Sequence, residues 1–208
     1  MKFTLLDLYS FSIGIAAIIG VVRFKKINPA YYPFIYLLWI GFATEILCYF
    51  LIYSGKFNAI PYNIYTLLEA VIITWQFRRW GLFRKNEKFY YSLLVFFVIF
   101  WALEAFFIEG IIHTATWFRI VHSFFIAIMT LLVVSKSQPR STFLICLGLI
   151  LYFTFNVLVE VFLLWGLNIS REFRVAIVMI PVYLNVFVNL IFALAVLWMP
   201  AKLRFTMP

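Results

Sequence analysis

Charge is scarce in this chain. Asp, Glu, Lys and Arg make up 12% of its 208 residues, about half the share usual in a soluble domain. Hydrophobic residues make up 66% and aromatic residues 22%, and the mean hydropathy is +1.04. A chain of this length cannot hide so much apolar surface in one aqueous core. Lipid has to cover much of it, and no soluble domain of useful size is left over. Cysteine is nearly absent as well. Cys48 and Cys146 fall near opposite ends of their apolar runs, roughly 15–20 Å apart in depth and too far to bridge. There is no CxxC, no zinc-finger spacing and no haem attachment motif. Neither HExxH nor the ExxH pairs of di-iron bundles occur. P-loop, GxGxxG and GxSxG motifs are missing too. The last apolar run has no Lys, which excludes a retinal Schiff base in the usual rhodopsin place. The short alternating segments of a membrane β-barrel do not occur.

What is present is a series of long apolar runs, at about 5–22, 33–53, 62–77, 89–108, 117–135, 142–166 and 173–199. They predict an all-α integral membrane protein, a single seven-helix transmembrane domain over 1–208. The breaks between them carry loop residues, as in "RFKKINP", "SGKFNAIP" and "SKSQPRS". Lys2 precedes the first run, but Asp7 interrupts it and no clean small-residue cleavage site follows. The first run is therefore expected to be an uncleaved helix.

Lys and Arg set the orientation. With the N-terminus outside, the inner loops and tail hold twelve basic residues, among them Arg23, Lys25, Arg78, Arg84 and Arg140, and the outer side holds five. The C-terminus is then cytoplasmic. This asymmetry accounts for most of the +9 net charge, so no nucleic-acid partner is expected. The basic inner loops suit anionic lipid, or a membrane or cytoplasmic protein partner. The expected location is a cell membrane, a bacterial inner membrane, crossed several times.

Five ionisable residues interrupt the runs: Glu45, Glu69, Glu104, His122 and Glu160, each on a different helix. A carboxylate in hydrocarbon costs a few kcal/mol on insertion scales. Counted from the outer end of each run, the five lie four to eight residues in, which is roughly 6–12 Å deep. They form one layer. Each helix also carries a polar stripe at helical spacing, including Tyr65 with Glu69, Arg119 with His122, and Asn156 with Glu160. Asn185 sits on such a stripe in the last run, with Tyr183 nearby. Polar stripes turn toward the bundle interior, so the five ionisable groups are expected to converge on an outward-facing cavity. The echo of "WIGFATEIL", "IFWALEAFF" and "FNVLVEVFL" suggests three hairpins that each bring up one Glu.

Carboxylates crowded in a low-dielectric site take up protons, pair with cations of the chain, or hold a cation from outside. The structural reading is the second. Arg119 would serve Glu104 or Glu109, Arg171 and Arg174 would serve Glu160, and tyrosine and asparagine would satisfy the rest. The metal reading puts a divalent ion among Glu104, Glu109, His113 and His122, since Glu and His together suit zinc, iron or manganese. The stretch "YNIYTLLEAVIITWQFRRW" (62–80) resembles a segment of small multi-helix bacterial membrane proteins; the likeness covers one helix and implies no activity. Two function classes stay open. One is a pocket for an unidentified cationic or polar small ligand or ion, used in sensing or ion-coupled transport, with Tyr65, Arg119, Asn156, Tyr183 and Asn185 in support. The other is a membrane-embedded enzyme acting on a lipid or isoprenoid by Glu/His acid–base or metal-assisted chemistry.

Overall fold

The computed structural model describes residues 9, 11–108, 110–135, 139–164 and 171–201, with backbone only at 163, 171, 172, 174–176 and 178. Seven α-helices lie in that range: α1 (Ile13–Arg23), α2 (Tyr32–Tyr53), α3 (Ala59–Arg79), α4 (Glu87–Leu103), α5 (Thr116–Val134), α6 (Arg140–Leu164) and α7 (Arg171–Trp198). A π-turn at Glu104–Ile108 extends α4. From α2 onward the helices begin and end within a few residues of the apolar runs. Apolar side chains at every rotational position leave little choice of element in hydrocarbon, where only a helix satisfies its own backbone.

Five of the helical segments are long and apolar enough to cross a membrane: Pro29–Tyr53, Glu87–Ile108, Thr116–Val134, Arg140–Phe162 and Met179–Trp198. The chain is thus helical and suited to several membrane crossings. The other two helices fall short for different reasons. α1 has 11 described residues. α3 is long, but Asn63, Thr66, Glu69, Thr74 and Gln76 make it polar, and all five are buried. Its neighbours explain this: α2, α4 and α5 all pack on α3, so its polar face turns into the bundle while Ile60, Ile64 and Leu68 stay exposed on the opposite side.

The ring is closed by α1, which packs on both α2 and α7, while α6 lies between α5 and α7. Small residues allow the close approaches. A Cβ on Gly41 of α2 would meet Ile13 Cδ1 at 2.8 Å and Tyr65 Oη at 3.3 Å. A Cβ on Gly148 of α6 would run into the Phe192 ring of α7.

One end of the bundle is tied by side chains that satisfy helix termini. Arg23 donates to the carbonyls of Val196 (2.7 Å), Leu197 and Met199. These are the last carbonyls of α7, which have no partner within the helix and draw cations. Gln76 donates to Ala30 O at 2.7 Å and accepts from Phe34 N at 2.9 Å, which fixes the start of α2 to the end of α3. The Tyr31 hydroxyl meets Thr142 Oγ1 at 2.8 Å and Ser141 Oγ at 3.1 Å at the start of α6. Arg23, Arg78, Arg79 and Arg140 all lie at or near this end, which makes it the basic end.

Candidate functional site

Among the described residues Glu104 is the most deeply buried carboxylate, at 0% exposure. It does not join a cavity. Its Oε1 accepts from Trp117 N at 2.8 Å and its Oε2 from Phe118 N at 2.5 Å. Those amides belong to the first turn of α5, where Ala115 at the N-cap makes no side-chain bond. Glu104 therefore caps α5 from the neighbouring helix, a position where a negative charge also meets the positive end of the helix dipole. Asn63 completes the joint. Its Nδ2 donates to His113 O (2.7 Å) and Ile111 O (3.3 Å), and its Oδ1 accepts from Ala115 N at 3.0 Å. Asn63 is not among the site residues expected from the sequence. Its one signal was a lone amide side chain near the start of a helix with no capping role of its own.

Arg119 turns to Glu160, with Nη1 and Oε1 2.8 Å apart, and its guanidinium also lies over the Tyr62 ring at 4.9 Å. The expected pairing of Arg119 with Glu104 does not occur, because the α5 amides already hold both Glu104 oxygens. The side chains of Arg171 and Arg174 and all of Glu109 lie outside the described residues.

His122 turns to Glu69, with Nε2 3.5 Å from Oε2. Its Nδ1 is 2.9 Å from Phe118 O. A carbonyl oxygen only accepts, so that bond places a proton on Nδ1, and Nε2, although it lies toward the Glu69 carboxylate, makes no hydrogen bond among the described residues. The other Glu69 oxygen accepts from the Tyr65 hydroxyl at 3.1 Å. His122 is 2% exposed and wedged between the rings of Phe118 and Phe153.

Two cavities adjoin these groups. The smaller, of about 90 Å³, opens between α1, α2, α3, α6 and α7, and its wall includes Glu45, Glu69, Tyr65, Asn185 and Asn189. The larger, of about 260 Å³, is lined by Arg119, Glu160, Asn156 and Pro181 among others. Tyr62, Tyr152 and Asn185 belong to both walls. The structure thus brings Glu45, Glu69, Glu160, Arg119, Tyr65, Asn156 and Asn185 to one region. It leaves out Glu104 and His122, which line neither cavity, and Tyr183, which is exposed with its ring 5.8 Å from Tyr9. The three echoed glutamates have three different settings: Glu104 caps a helix, Glu160 pairs with Arg119, and Glu45 has no hydrogen-bond or ion-pair partner among the described residues.

Glu109, one of the four residues expected to hold a metal, lies outside the described residues. Among the described residues no three of His, Cys, Asp and Glu come together as ligands, and His113 is exposed in the loop before α5. No protein-family model, curated protein or solved structure matches the chain.

Proposed function

We propose that this chain is a seven-span membrane protein, N-terminus outside and C-terminus cytoplasmic, whose adjoining cavities bind a cationic or polar small ligand or ion. One observation carries the reading: charged and amide side chains from α2, α3, α5, α6 and α7 line two adjoining, partly open cavities that they do not fill. Buried polar groups ordinarily partner one another, and convergent polar groups around a cavity mark a ligand site. The cavities lie away from the basic end, which on the proposed orientation makes them outward-facing. The basic loops at the other end would meet anionic lipid or a protein partner, in a bacterial inner membrane.

Sensing fits better than transport. A carrier needs a polar route onward from the cavity. Gln76 has both ends of its amide committed to α2, and the Thr130 hydroxyl donates to Ile126 O at 2.6 Å. These two residues offer no wall to a passing ligand. The test is native mass spectrometry of gently purified protein. A small molecule should co-purify with the wild type and with Glu104→Gln, and should be lost from Glu45→Gln and Asn185→Leu. A wild type that carries nothing, or variants that all retain the molecule, would sink the reading.

A further inference from the structure

We propose that the smaller cavity takes a small cation bearing N–H groups, a short primary ammonium, with Glu45 as its counter-charge and Asn189 as a second acceptor. The proposal rests on the ligand reading above and names the class of ligand. Glu160 pairs with Arg119 and Glu69 accepts from the Tyr65 hydroxyl, but Glu45 has no hydrogen-bond or ion-pair partner among the described residues. A carboxylate away from bulk water needs a matching charge or a proton, and this one borders open space.

Asn189 is a second, independent indication. It is 3% exposed and lines the same cavity. Its Nδ2 donates to Ser12 Oγ at 2.8 Å and weakly to Asn185 Oδ1 at 3.4 Å. Its own Oδ1 accepts from no described residue. The residue lines the cavity, so an amide oxygen without a protein donor is open there to the N–H of an occupant. Carboxylate and amide oxygen are both acceptors, so the occupant must bring donors.

The rest of the wall selects among cations. Ile13, Leu37, Leu38, Leu149 and Phe192 give a bare metal ion no oxygen ligands, but they suit an alkyl group. Tyr62, Tyr65 and Tyr152 add aromatic rings, and a ring face attracts a cation. Tyr62 already does so for Arg119 at 4.9 Å. A quaternary ammonium would match the rings and leave both acceptors without a donor. The volume of about 90 Å³ limits the alkyl chain to a short one.

The test is the thermal unfolding midpoint of purified protein in detergent, titrated with ethylammonium, tetramethylammonium and the neutral acetamide. Ethylammonium should raise the midpoint in a saturable way, and the other two should not. Glu45→Gln, which removes no contact within the described fold, should keep the unliganded midpoint and weaken ethylammonium about tenfold or more. Asn189→Leu should weaken it as well, and Glu104→Gln should bind as the wild type does. Equal affinity for ethylammonium in Glu45→Gln and wild type overturns the proposal. Stabilisation by acetamide and not by ethylammonium overturns the cation while the cavity remains a ligand site. No response to any of the three, with no molecule co-purified, overturns both.

Discussion

At the scale of single residues, five ionisable groups that look alike in the sequence have different settings. Glu104 closes a helix end, Glu160 pairs with Arg119, Glu69 accepts from Tyr65 beside His122, and Glu45 faces open space. The Glu104 assignment makes a quantitative prediction. Glu104→Leu removes the acceptor for two amides at the start of α5 and should cost about 2 kcal/mol of stability. Glu104→Gln keeps one acceptor oxygen and should cost less. A double-mutant cycle of Arg119→Gln with Glu160→Gln should show coupling of about 1 kcal/mol or more, since each single change leaves a charge behind in a low-dielectric site. The cycle of Arg119→Gln with Glu104→Gln should be additive within about 0.5 kcal/mol. Reversible unfolding in mixed micelles measures both. Strong coupling in the second cycle and none in the first would contradict the pairing described here.

Between elements, helices are joined at their ends more than along their sides. Arg23 serves α7, Gln76 serves α2, Tyr31 serves α6, and Glu104 with Asn63 serves α5. Tyr31 meets the hydroxyls of Ser141 and Thr142, and the other bonds use an N–H or C=O near a helix end that the helix itself leaves open. In lipid such groups have no water to turn to, so a partner helix must supply the match. Along the sides the fit depends on small residues. Gly148 gives the Phe192 ring room, and Phe192 in turn walls the smaller cavity. Gly148→Ala should therefore destabilise the protein by about 1–3 kcal/mol, as overpacking does. Gly148→Ala with Phe192→Leu should recover most of the loss. The comparison of unfolding midpoints for the two variants checks it. A neutral Gly148→Ala would mean that α6 and α7 are not in the contact described.

On the scale of the whole molecule, topology is the property most open to a direct test. Single cysteines introduced into 54–61 and 110–116 should react with an impermeant reagent added from outside, and cysteines in 80–86 should not. The reverse pattern would turn the bundle over and place the cavities on the cytoplasmic side. The sequence by itself determined the solvent, the class and the elements. Scarce charge and long apolar runs force helices, and those runs lie close to α2 through α7. It also determined depth, because rise per residue converts position along a helix into distance along its axis. On that ground Glu45, Glu69, Glu104, His122 and Glu160 are expected at one level, and of the five Glu45, Glu69 and Glu160 border the adjoining cavities. The polar stripe of α3 is visible in Tyr65, Thr66, Glu69 and Gln76, but the helices it faces are not. Only the tertiary structure decided which group meets which. Partners depend on how each helix is rotated and on the order of helices around the bundle, and neither is a local property of the chain. Arg119 sits one turn from His122 on α5. The packing of α5 against α3 and α6 sends His122 to Glu69 and Arg119 to Glu160, and it leaves Glu104 with the backbone of α5 itself.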